Sequence, residues 1–97
     1  FTTTQPTQAL ALLNSPEVHA QALACARRLL GEGTSDDRAA VERLWRLCFA
    51  RSPAAVETEE ALDLLREQRE VYGRDAESAL QRLCLFAFNS NEFVYVD

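Results

Sequence analysis

The sequence predicts an all-α fold, a compact bundle of about five helices with an extended C-terminal tail packed back on it. Three features predict it. Apolar residues recur every three to four positions along most of the chain, the period of a one-faced helix. Ser, Thr or Asp followed by acidic or proline residues stands where such stripes begin, as helix N-termini require. Gly and Pro fall between the stripes rather than within them.

The first helical segment is short, residues 7–14 ("TQALALLN"), after a non-helical "FTTTQP". The second begins at "NSPEV": Ser15 can cap it, and Pro16 suits the first helical position, where its missing N–H would be unpaired anyway. It runs to Leu30 and stops at "GEG", with Gly31 or Gly33 free to turn left-handed. Val18, Ala22, Cys25 and Leu29 mark its buried face. The third opens at "TSDD", with Thr34 as cap, Asp37 as its capping-box partner and Asp36 favourably placed at the positive end of the dipole. Val41, Leu44, Leu47 and Cys48 form its stripe, widened by Trp45 and Phe49, so it should pack on two neighbours.

"ARSP" then breaks the chain, because Pro53 disfavours helical geometry at Ser52. Ser52-Pro53 repeats the cap-then-proline start of Ser15-Pro16 and predicts a fourth helix over 53–72. That helix should bury Ala61, Leu64, Leu65, Val71 and part of Tyr72, with Glu57, Glu59, Glu60, Asp63, Arg66, Glu67, Arg69 and Glu70 on its outer face. Gly73 ends it. Asp75 caps the fifth, whose stripe Ala76, Leu80, Leu83, Cys84 and Ala87 is flanked by Leu85, Phe86 and Phe88. A helix apolar on all sides is buried on all sides, which puts 83–88 at the centre. "FNSNEF" at 88–93 echoes "LNSPEV" at 13–18. Asn89-Ser90 therefore reads as a sharp stop and reversal, with room for one short turn at Asn91–Phe93 through Glu92. Phe93 and Tyr95 then serve as alternate anchors of a tail that latches the bundle.

Composition narrows the function classes. A 97-residue chain is one domain with a modest core, hiding roughly 60–65% of its unfolded surface. Net charge is −5, and the ten basic residues, all Arg, are interleaved with Asp and Glu. That argues against nucleic acid, which needs a clustered basic surface. No apolar run reaches the ~18–20 residues of a membrane span. Cys25, Cys48 and Cys84 are odd in number and widely spaced, without C-x-x-C or C-x-x-C-H. Each lies in an apolar stripe, where a free thiol acts as a small hydrophobe; one disulfide plus a spare thiol is the alternative.

Catalytic signals are absent from the pattern. His19 is the single histidine, too little for a zinc site, which takes three or four ligands. The fourth helix's carboxylates crowd one face, whereas acid–base pairs need distinct environments in a cleft. No G-x-S-x-G, Walker or dinucleotide motif is present, and Gly31-Glu32-Gly33 follows a helix. Neither a cofactor nor a catalytic residue is assigned. Arg51 is the most informative polar residue. At an apolar helix end before a proline corner, it should cap the preceding carbonyls and pair with Glu57, making Arg51, Pro53 and Glu57 a structural corner.

Three stretches line up with one family: "TTTQPTQALALLNSPEV" (2–18), "RLWRLCFARSPAAVE" (43–57) and "LCLFAFNSNEFVYVD" (83–97). The chain resembles the C-terminal part of a planctomycete-expanded domain of unknown function that closes large proteins carrying cytochrome-c-like segments. The pattern falls on Thr7, Gln8, Ala9, Leu10, Leu13 and Asn14. It continues on Arg51, Pro53 and Glu57, then on Asn89, Ser90, Asn91, Glu92, Phe93, Tyr95 and Asp97. Where the family has Gly-Arg before the corner, this chain has Ala50-Arg51. The resemblance implies an exported or cell-surface protein and brings no activity. It implies that residues 1–97 are one helical domain, the C-terminal fragment of something larger, with an apolar patch exposed around the first helix. The chain's start at Phe1 rather than Met points the same way. The expected role is a non-catalytic structural and interaction module whose partners are upstream domains of the same polypeptide or a neighbouring protein. The alternative is the C-terminal part of an enzyme, carbohydrate-active or redox, whose main site lies upstream; His19, Arg51, Glu57 and Asn91 would then contribute to a composite site.

Overall fold

Ser15 begins the first helix of the computed structural model, which describes residues 15–33 and 36–90. Its hydroxyl accepts the Val18 N–H at 3.2 Å, and Pro16 occupies the first turn of α1 (Pro16–Gly31). α2 spans Asp37–Phe49, α3 Ala55–Glu70 and α4 Ala76–Phe88. The described residues are thus all-helical, with four helices and no strand. The expected short helix over 7–14 and the tail from Asn91 onward lie outside them, as does Thr34.

Boundaries depart from expectation where a cap differs from the one anticipated. Gly31 stays in α1, and it is Gly33 that turns left-handed, at φ 73°. Asp36, not Thr34, caps α2: its Oδ1 accepts the Ala39 N–H at 2.8 Å. Asp is among the strongest caps and needs only to stand next to the first helical residue. Asp37, expected to close that cap, reaches instead across to Arg69 on α3. α3 starts two residues after the predicted Pro53. Its cap is Ala54, whose N–H donates to Glu57 Oε1 at 2.8 Å. Ser52 is drawn away by Glu42 and Arg46 on α2, which leaves its hydroxyl engaged elsewhere. Asp75 caps α4, accepting the Ser78 N–H at 2.8 Å.

The core comes from all four helices. α1 contributes Ala22, Ala26 and Leu29; α2 Ala40, Val41, Leu44 and Trp45; α3 Ala61 and Leu65; α4 Ala79, Leu80, Leu83, Cys84, Ala87 and Phe88. Leu29, Leu44, Leu65 and Leu83 are fully buried, each worth about 1.5–3 kcal/mol by area. Val18, Cys25, Leu47, Cys48, Phe49, Leu64 and Leu85 pack on its margin. α1 makes its most extensive contact with α4, which also packs on α3, and α3 packs on α2.

Three burial expectations are overturned. Val71 and Tyr72 are 67% and 60% exposed, because α3 ends at Glu70 and the chain turns outward before Gly73. Phe86 is 43% exposed, so α4 has one open flank despite its apolar sequence. Ala76 is exposed as well, standing in the first turn ahead of the buried stripe.

Candidate functional site

The corner between α2 and α3 concentrates the best-held polar groups. α2 ends where Ala50 adopts a left-handed conformation, φ 59° and ψ 31°, and its N–H donates to the Arg46 carbonyl at 3.1 Å. That turn swings Arg51 toward α3. Its guanidinium grips Glu57 bidentately, Nη1 to Oε1 at 2.8 Å and Nη2 to Oε2 at 2.9 Å, while Nη1 also donates to the Ser52 carbonyl at 3.0 Å. A planar fork on a carboxylate is the strongest ion-pair geometry available to side chains. Arg51 also lies over the Phe49 ring, 5.8 Å from its centroid, and Phe49 meets Trp45 edge-on at 5.5 Å.

Glu57 is the electrostatic centre of this corner. The Arg51 hydrogen bonds, then the Ala54 N–H, hold its carboxyl down at about 2 against a small burial penalty. The buried indole N–H of Trp45 faces the same carboxylate but falls short of hydrogen-bond geometry. Beside it, Ser52 donates to Glu42 Oε2 at 2.7 Å and accepts from Arg46 at 3.1 Å, with Arg46 Nε 3.1 Å from the same Glu42 oxygen. Ser52 is the main cause of the lowered Glu42 carboxyl, with Arg46 adding to it.

A cleft of ≈ 200 Å³ opens next to the corner, lined by Trp45, Phe49, Glu57, Glu60, Phe86, Ala87 and Ser90. Its wall is mostly aromatic and its rim is carboxylate. Ser90 follows the end of α4, which closes with Asn89 N–H donating to the Leu85 carbonyl at 3.0 Å and Ser90 N–H to the Ala87 carbonyl at 3.1 Å. Of the expected latch, Asn89 and Ser90 are therefore described, while Asn91, Glu92, Phe93 and Tyr95 lie outside the described residues. A second, more open cleft of ≈ 220 Å³ is lined by Glu67, Gln68, Tyr72, Arg74 and Arg82.

Of the residues proposed for a composite site, Arg51 and Glu57 are brought together. His19 sits elsewhere, on the seam between α1 and α4, where its backbone carbonyl accepts from Gln81 Nε2 at 3.0 Å. Asn91 lies outside the described residues. Among the described residues no group of three His, Cys, Asp or Glu side chains is arranged to hold a metal ion, and no helix is long and apolar enough to cross a membrane. Ion pairs otherwise tie one element to the next. Glu32 receives Arg28 at 3.1 Å and Arg43 at 2.8 Å, and Arg27 meets Glu77 at 3.0 Å.

Sequence reasoning missed the Ser52 network with Glu42 and Arg46, the Asp37–Arg69 pair and the exposed flank of Phe86. The first had a readable signal, since Glu42 and Arg46 are one turn apart on α2. The second joins residues 32 positions apart, and no local pattern points to it.

A family model described as PSD1, protein of unknown function (DUF1553), matches residues 1–65. The matched stretch contains the entry motif and the corner; the closing "NSNEFVYVD" lies beyond it. No curated protein and no solved structure matches the chain.

Proposed function

The chain belongs to the PSD1 family of proteins of unknown function, DUF1553, and we propose that it is a non-catalytic helical module of a larger, exported protein. It holds neighbouring segments of that protein through apolar and aromatic contacts. The observation that carries this reading is the bidentate grip of Arg51 on Glu57. Both carboxylate oxygens and both guanidinium ends are spent on each other and on the corner's backbone. A general acid or base needs a pKa near working pH; Glu57, held down at about 2 by Arg51 and the Ala54 N–H, is far from it and serves as a brace. The placement of this domain at the end of cytochrome-c-bearing proteins, and its export, rest on the sequence resemblance alone.

The C-terminal latch belongs to the same proposal. The cleft ending at Ser90 is aromatic-walled, and the seven residues that follow include Phe93 and Tyr95. Seven residues reach at most ~25 Å when extended, ample to fold back on a cleft that Ser90 itself lines. We assign that cleft to these two rings.

Deleting residues 1–97 from the longer polypeptide tests the module reading. Turnover and cofactor content of the remainder should persist, while newly exposed apolar surface binds hydrophobic dye. A soluble, well-folded remainder that has lost its turnover would instead assign Arg51, Glu57 or His19 to a composite active site.

A further inference from the structure

Arginines and carboxylates are matched over most of the surface, and one cleft breaks the pattern. All the arginines but Arg38, Arg74 and Arg82 meet a carboxylate among the described residues. Arg74 and Arg82 line the same open cleft of ≈ 220 Å³, together with Glu67, Gln68 and Tyr72. α3 ends there, and Gly73, left-handed at φ 65°, lets the Arg74 N–H reach back to the Gln68 carbonyl at 3.0 Å. That bond fixes the two backbones from which the side chains extend. Buried polar atoms left unpaired gather at the same place. Arg74 Nε, a donor, and Gln68 Oε1, an acceptor, are buried without a hydrogen-bond partner among the described residues, an expensive state for either group.

We propose that this cleft is a binding site for a small hydroxylated monocarboxylate, which it holds without catalysis. The two guanidiniums are planar forks that fit the paired oxygens of a carboxylate. Glu67 on the cleft wall sets the charge. Two cations against one carboxylate leave a single positive charge to be met, which favours a monoanion over a phosphate dianion.

The orphaned pair of atoms calls for the hydroxyl. One O–H can accept from Arg74 Nε and donate to Gln68 Oε1, and a bare carboxylate, which only accepts, cannot serve both. Neither atom reaches the surface by itself, so Arg74 and Gln68 turn toward the hydroxyl as the ligand seats. Tyr72, 60% exposed, supplies a ring face for the carbon chain between carboxylate and hydroxyl. The cleft is several times the ~30 Å³ share of one water, room for an organic acid of a few carbons. It shares no residue with the aromatic cleft beside Arg51, so it stands whether or not that cleft takes the tail.

D-Gluconate is the probe, titrated into the chain labelled with ¹⁵N at arginine. The Nε–H resonances of Arg74 and Arg82 are assigned by their loss in Arg74→Lys and Arg82→Lys. Both should shift and saturate together, with a dissociation constant on the order of 1 mM for a ligand of this size. Arg38, which does not line the cleft, should stay in place. Acetate, which lacks the hydroxyl, and inorganic phosphate should each bind about 10-fold more weakly. Gln68→Leu should bring gluconate down to the strength of acetate. Shifts that never saturate, an equal shift at Arg38, acetate as tight as gluconate, or phosphate tighter than gluconate each overturns the proposal in the natural chain, whatever the variants do.

Discussion

Ala50 is the residue whose backbone asks for something its side chain resists. At φ 59° a Cβ crowds the following carbonyl, a cost of ~1–2 kcal/mol for an L-residue. Glycine, by contrast, enters the left-handed region freely. Ala50→Gly should therefore stabilise the protein by about 0.5–1 kcal/mol after the extra entropy of glycine in the unfolded chain is deducted. The check is a melting temperature ~2–8 °C higher, and an unchanged or lower value would mean that Ala50 relaxes out of the left-handed region without cost. Arg51 depends on that turn for its aim, so the residue that looks bland in sequence sets the direction of the one that looks informative.

At the scale of elements, caps decide where helices begin and exposed flanks decide what they hold. α3 is the weakest helix by these measures. Its cap residue has no side-chain oxygen, its start depends on Glu57 accepting the Ala54 N–H, and Leu65 is its one large, fully buried side chain. α4 buries six residues but leaves Phe86 43% exposed on the cleft side. A tail whose two rings cover that flank would remove enough apolar surface to contribute about 3–5 kcal/mol. Truncation after Asn91 should accordingly give a chain that binds hydrophobic dye and unfolds over a broad range. A truncated chain that melts as sharply as the parent would show that α1–α4 close without a latch.

For the whole molecule, the carboxylates share one direction of response to acid. Glu57 is held at about 2 by Arg51 and the Ala54 N–H, from an ordinary 4.5. Glu32, Glu42 and Asp75 are lowered by their own arginine, serine or backbone donors. Each carboxyl binds its proton more readily in the unfolded chain, so stability rises with pH across the interval between the two values. The contribution of Glu57 is complete above about 4.5 and is lost as pH falls through about 2. Glu57→Gln should flatten the acid limb of the stability curve, and Arg51→Ala should both flatten it and lower the melting temperature at pH 7 by several degrees. An acid limb as steep in Glu57→Gln as in the parent would assign the acid lability to the exposed pairs instead, which solvent and salt screen.

The all-helical class and the helical stripes were determined by the sequence alone, because helix periodicity and proline placement are local physics. Ser15, Asp75, Leu44, Leu65 and Leu83 could be read directly for that reason. The same locality made the Arg51–Glu57 pairing legible, as six residues around a proline corner leave few other partners. Only the tertiary structure decided which of several eligible caps is used, since Ser52 and Asp37 had better offers from Glu42, Arg46 and Arg69 on other turns or helices. It alone decided that Val71, Tyr72 and Phe86 face outward, because burial depends on what lies opposite a residue and not on its own hydrophobicity.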